Sequence, residues 1–305
     1  MAASDLAVLG DVKDWLAAGG QALQSADNAL MSRLITTASS GIYTYLSRQV
    51  IIPKVVTERY DGCGNPRLLL RNYPVLSLSS LIVDGVAVVG SLYPTSASTS
   101  PGWPPSGYLV SPWDGQLPGK PQALDLWATS GGAALNYRTF PVGRQNVQVT
   151  YLCGYQVVAE AATVPASGPY QVAVQAPQGP WASDGGVAYA ATGVKLVAVA
   201  SAPAVGQYVP PTQGSQSEGS ATNYVFSAAD AGAGVLTSYG FVPADVNAAC
   251  IEWVAERYRY RQRIGQKSQT VAGQQTASYD TSGVPPFVKQ ILAPYRCVVP
   301  FQSWG

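Results

Sequence analysis

Histidine is absent from this chain, and charge of either sign is scarce. Without histidine the commonest general base is missing, and with it the Ser–His and Cys–His nucleophile pairs and most zinc and iron sites. The sequence also lacks GxGxxG, GxxxxGK(S/T) and GxSxG, so no phosphate-cradling loop or nucleophile elbow can be placed. Asp and Glu total 17 and lie scattered, as solvated surface acids do. These absences argue against an enzyme, and neither a cofactor nor a metal is expected.

Only 11% of residues are charged, where roughly 25% is usual. The formal net charge is +1, so nothing global points to nucleic acid or to an anionic membrane. Met1-Ala2-Ala3-Ser4-Asp5 offers no basic segment leading into an apolar run, so no secretory signal is expected. No stretch approaches the ~20 apolar residues that cross a bilayer. Cys63, Cys153, Cys250 and Cys297 stand far apart with no CxxC pair, which predicts reduced, half-buried thiols and not a disulfide frame.

What the chain does have is apolar bulk and turn residues: 47% hydrophobic, with 31 Gly, 23 Pro and 18 Tyr in 305 residues. At about 100–200 residues per domain, that length predicts two or three domains. A surface this poor in charge is common in proteins whose neighbours in an assembly cover it. A β-rich fold with many turns explains the Gly and Pro equally well.

The periodicity changes along the chain. Asp11 to Leu16 reads as a short helix stopped by Gly19-Gly20. Ser25 is positioned to N-cap a longer one, with Asp27 in its first turn. There Leu30, Leu34, Ala38, Ile42 and Leu46 recur at i+4, widened by Met31, Ile35 and Tyr45, which predicts a core-facing helix of about 22 residues ending near Arg48. Strands are expected at Val55–Tyr60, Leu68–Leu70 and Ser77–Val83, the last turning at Asp84-Gly85 into Val86–Val89. Residues 93–145 are turn-rich, with strands expected near Tyr108–Val110 and Ala134–Tyr137. Gln145–Tyr155 closes the region, with Val147, Val149 and Tyr151 alternating.

Residues 156–241 are nearly uncharged and read as an all-β, sandwich-like module, with strands at Tyr170–Val174, Val194–Val197, Tyr224–Phe226 and Gly234–Tyr239. Helix returns at Pro243, tolerated in a first turn, with Val246, Cys250, Trp253, Tyr260 and Ile264 on one face and Gly265 as its end. Residues 266–283 are Gln/Ser/Thr/Gly-rich and expected to be mobile in isolation. A last short helix follows Pro285-Pro286.

In their order, these elements resemble the head–tail connector (adaptor) family of tailed bacteriophages. The resemblance rests on Val12-Lys13-Asp14-Trp15-Leu16, Tyr45-Leu46-Ser47-Arg48, Glu58-Arg59-Tyr60-Asp61-Gly62, Tyr73-Pro74-Val75, Val83-Asp84-Gly85, Val147-Gln148-Val149-Thr150-Tyr151 with Gly154-Tyr155, and Val242-Pro243-Ala244-Asp245-Val246 through Arg257-Tyr258 and Arg261. The chain departs from the family where residues 156–241 intervene, with a Val-Pro near each end (Val164-Pro165, Val242-Pro243). That pattern reads as insertion at a loop tip, where whole domains are tolerated. The end of the insertion, Tyr224 to Leu236, resembles small β modules of phage virion proteins.

The resemblance implies an α+β fold: a helical, adaptor-type core with a β-hairpin/meander region and the inserted β module. Its expected parts are 1–155 (helices plus β region), 156–241 (the module) and 242–305 (helices and a docking arm). It implies a structural subunit of the virion neck, assembled in the host cytoplasm into a homo-oligomeric ring of about a dozen copies. Portal protein would lie above the ring, stopper or tail proteins below, and DNA would pass through the lumen without sequence-specific binding and without any membrane.

Two sets of residues are candidates for the working surfaces. Arg257, Arg259, Arg261 and Arg263, with Lys267, concentrate positive charge; on a helix 257 and 261 share one side, 259 and 263 the other. One pair could face the channel and the other a neighbouring subunit, or the set could be a solvated helix end with Glu252 and Glu256 as partners. Val288, Ile291 and Leu292 form a small apolar face, followed by Tyr295 and Arg296, and the set is suited either to docking on a portal or neighbour, or to packing on the chain's own helices. Two other classes fit less well. A surface adhesin could use Trp103, Trp113 and Trp127 against sugars, and a neighbouring neck protein (stopper or tail terminator) would differ only in position.

Overall fold

The computed structural model describes residues 4–21, 23–88, 90, 107–111, 121–127, 138–175, 178–212, 223–261, 268–271, 275–278 and 283–297. The chain divides into two compact units, Met1–Ser47 with Gln156–Arg296, and Arg48–Tyr155 with Cys297–Gly305.

In the first unit four helices pack together: α1 (Leu9–Ala18), α2 (Asn28–Leu46), α3 (Ala244–Tyr260) and α4 (Pro286–Leu292). Helix α3 touches each of the other three. Gly19 follows α1 as its C-cap, as expected. Ser25 does not cap α2; it opens a short 3-10 turn, Ser25–Asp27, that leads into the helix. The buried face of α2 is Met31, Ile35, Ala38, Ser39, Ile42 and Leu46, with Leu30 and Leu34 only half-buried, so the stripe is centred one residue along from the expected row. Gly41 supplies a close approach: a Cβ there would lie 2.4 Å from Cη2 of Trp253, whose indole is buried. Ser39 Oγ accepts from the Leu6 amide at 2.9 Å and lies 3.6 Å from Cys250 Sγ.

The same unit holds two sheets that share a core. With β8 (Gln156–Thr163), β9 (Gln171–Ala173), β10 (Trp181–Tyr189), β11 (Val197–Ala198), β12 (Gln207–Val209), β13 (Asn223–Phe226) and β14 (Gly234–Phe241), the orders are β10-β14-β8 and β11-β12-β13-β9. Val164, Val172, Val187, Leu196, Tyr208, Tyr224, Phe226 and Val235 fill the space between them. β15 (Ser268–Val271) pairs antiparallel with β16 (Gln275–Ser278), within the stretch expected to be mobile in isolation.

Among the described residues the helices and strands of the second unit are all strands. Its strands are β1 (Lys54–Gly62), β2 (Arg67–Leu69), β3 (Val75–Val83), β4 (Val86–Val88), β5 (Gly107–Ser111), β6 (Ala123–Trp127) and β7 (Gly143–Cys153), ordered β1-β7-β3-β4 and β2-β6-β5. The alternation read in the sequence is that of β7, which buries Val147, Val149, Tyr151 and Cys153, as a strand with one face on a core must. These pack with Leu68, Leu124 and Leu126 of the smaller sheet. The Asp84-Gly85 hairpin forms as predicted, both residues taking positive φ (49° and 81°) as a two-residue turn of this kind requires.

The α+β reading built on a helical core is therefore corrected. Among the described residues sixteen strands stand against four α-helices, and β structure makes up all of the second unit's regular elements and much of the first. The helices do pack on one another, but they are the smaller part of the chain. The strands that sequence reading missed explain the error. β8 reads Gln-Val-Val-Ala-Glu-Ala-Ala-Thr and is half-exposed, with alanines that carry little strand preference. β10 contains Gly185-Gly186 and two register shifts, which break its alternation. The strand expected at Ala134–Tyr137 lies outside the described residues.

Candidate inter-subunit and channel residues

The C-terminal end of α3 gathers a network that the linear sequence conceals. Asp27, just before α2, accepts a hydrogen bond on Oδ1 from Arg261 Nη1 and one on Oδ2 from the Tyr258 hydroxyl, both at 2.7 Å. Arg261 Nη2 also donates to the Tyr258 hydroxyl at 2.7 Å, and its guanidinium lies 4.0 Å from the Tyr258 ring centroid. The hydrogen bond from Arg261, and after it that from Tyr258, holds the Asp27 carboxyl down to about 2. Arg261 is thus neutralised within its own chain.

Arg259 points the other way. It is half-buried, and a Cβ on Gly19 would lie 2.6 Å from its Nη2 and 3.4 Å from the Leu16 carbonyl. Its guanidinium therefore sits beside the C-terminal end of α1, where a cation meets the negative end of the helix dipole. Gly19 is small there for reasons of space and not of backbone conformation. Arg257 is exposed; its guanidinium lies 5.0 Å from the Trp253 ring centroid, and among the described residues no carboxylate pairs with it. Arg263 and Lys267 lie outside the described residues, as do Trp103 and Trp113 and the side chain of Trp127.

Helix α4 and the turn after it, Ala293–Tyr295, pack on their own unit. Val288 and Leu292 are fully buried and Tyr295 nearly so, against α3. The Tyr295 hydroxyl donates to Asp245 at 3.4 Å, and the Tyr45 hydroxyl to the Lys289 carbonyl at 3.4 Å. Ile291 is half-buried, and Phe287 and Arg296 are exposed. Arg296 lies 5.8 Å from the Tyr45 ring centroid. Of the two alternatives for this face, packing on the chain's own helices is the arrangement found for Val288, Leu292 and Tyr295.

Acidic side chains elsewhere are partnered mainly by tyrosine hydroxyls. Glu58 takes those of Tyr60 and Tyr151, the latter at 2.5 Å, together with Asn72 Nδ2 at 2.9 Å. Asp184 takes those of Tyr208 at 2.6 Å and Tyr224 at 3.0 Å, Glu160 that of Tyr239 and Asp230 that of Tyr189. In a chain without histidine and with few cations, phenols supply hydrogen-bond donors to these carboxylates, of which Asp230 is buried and most in need of one. Among the described residues no three His, Cys, Asp or Glu side chains gather so as to hold a metal ion. None of the four cysteines forms a disulfide.

Nothing in the linear sequence marks Asp27 as the partner of Arg261, because 234 positions separate them. No protein-family model matches this chain, and no curated protein sequence matches it.

Proposed function

We propose that this chain is a structural head–tail connector (adaptor) subunit of a tailed phage, working by assembly into a ring and not by catalysis. What supports the reading is the meeting of segments far apart in sequence. The N-terminal and C-terminal stretches that carry the family resemblance include α1, the end of α2 and α3, and α3 is in contact with α1, α2 and α4. The insertion between them has its own core, as a module added at a loop tip would. Exposed Arg257 then carries the polar contact toward a neighbouring subunit or the lumen.

The test is the mass of the purified chain, alone and with portal-bearing heads, followed by imaging. A closed ring of about a dozen copies, or stoichiometric addition to the portal vertex, is expected. A chain that stays a monomer or dimer at every concentration and does not join heads overturns the proposal.

A further inference from the structure

Arg48 is 3% exposed, yet only one nitrogen of its guanidinium is hydrogen-bonded. Nη1 donates to the Tyr73 carbonyl at 2.8 Å and to the Tyr155 hydroxyl at 3.4 Å. The guanidinium carbon lies 3.9 Å from the Tyr73 ring centroid, so the group is held both in its plane and on its face. Nε and Nη2 are buried and have no hydrogen-bond partner. Among the described residues no carboxylate pairs with the charge.

The covalent geometry of guanidinium places Nε–H and one Nη2–H parallel on a single edge, with the spacing of two carboxylate oxygens. A buried cation lacking a counter-charge is strongly unfavourable, and a buried donor without an acceptor adds to the cost. Tyr73 and Tyr155 are themselves buried, so the unpaired edge is held in place. A water molecule there would leave the charge unpaired. We propose that the Nε/Nη2 edge of Arg48 is a receptor for one carboxylate, either a small free carboxylate or an Asp or Glu side chain from a second copy of the chain. The inference holds whether or not the chain is a connector.

The full-length protein, labelled with nitrogen-15, shows arginine Nε–H groups directly by NMR. Arg48→Lys identifies the Arg48 signal, and Arg259→Lys removes the other buried one. Acetate is titrated against chloride at constant ionic strength, and the thermal midpoint is followed in parallel. With a free carboxylate as ligand, the Arg48 signal shifts saturably with acetate only, and the midpoint rises in the wild type but not in Arg48→Lys. With a second copy as the source, the signal ignores acetate but shifts with protein concentration in step with self-association, which Arg48→Lys weakens. A signal indifferent to acetate and to concentration overturns the proposal. Should Arg48→Lys fail to fold, Arg259→Lys leaves the Arg48 signal as the slowly exchanging one, and the same titrations decide.

Discussion

The carboxylate of Asp27 and the guanidinium of Arg261 meet at 2.7 Å, tying the start of α2 to the end of α3. Because this contact holds the Asp27 carboxyl below its ordinary 3.8, at about 2, the stability it contributes is present above pH 3.8 and is lost as pH falls toward 2. We expect the urea midpoint of the wild type to fall more steeply between pH 4 and pH 2 than that of Asp27→Asn. Equal slopes would show that the pair contributes nothing to folding.

Gly41 and Trp253 give a packing test with a defined sign. Gly41→Ala gains about 1 kcal/mol of helix propensity but drives a methyl into the buried indole, which costs about 1–3 kcal/mol. The expected net effect is a loss on the order of 1 kcal/mol, measured by urea unfolding. In a Trp253→Leu background the same substitution should become neutral or stabilising.

Tyr151 donates to Glu58 at 2.5 Å and accepts from the Asn72 amide at 3.2 Å. Tyr151→Phe removes a hydrogen bond to a carboxylate and leaves a buried N–H unmet, so a loss of about 2–3 kcal/mol is expected. Tyr60→Phe serves as the comparison, since the Tyr60 hydroxyl accepts from the Arg71 amide while donating to the same carboxylate.

The absence of histidine leaves no side chain with an ordinary pKa between pH 5 and 8. Stability should therefore be nearly flat across that range and then fall in alkali. Burial pushes the Cys153 and Cys250 thiols from 9.0 up to about 12, and burial likewise raises Tyr60, Tyr151, Tyr208 and Tyr224. Groups with raised folded pKa values stabilise fully below their unfolded values, and that contribution is lost as pH climbs from about 9 toward 12. A thermal midpoint that changed strongly between pH 5 and 8, or not at all above pH 9, would contradict this account.

Leu292 and Arg257 should separate folding from assembly. Leu292→Ala opens a cavity in the helical cluster and should cost about 2–5 kcal/mol. Arg257→Ala, on an exposed position, should change stability by less than about 0.5 kcal/mol while weakening ring formation or head joining. Normal assembly of Arg257→Ala would remove Arg257 from the proposed interface.

Several elements were legible because their signals are local. The stop at Gly19, the Asp84-Gly85 turn and the alternation of Val147, Val149 and Tyr151 each follow from backbone freedom or from a period of two over a few residues. β6, β10 and β12 were not legible: Trp181–Tyr189 is interrupted by Gly185-Gly186, and Gln207–Val209 is three residues long. Such strands exist because a neighbour supplies the ladder, and the neighbour lies elsewhere in the chain. The fold class was misjudged for that reason.

The candidate site divides along the same line. Helical geometry alone put Arg257 and Arg261 on one side of α3 and Arg259 on the other, since that follows from 3.6 residues per turn. Which cation is neutralised depended on Asp27, more than two hundred residues away, and which is half-buried depended on the space that Gly19 leaves. The buried, half-satisfied guanidinium of Arg48 had no sequence signature, because its unmet edge is defined by where Tyr73 and Tyr155 stand. Composition excluded histidine chemistry outright and local pattern set the turns and helices. Pairing of charges and burial of side chains are contacts between distant positions, and only the tertiary structure decided them.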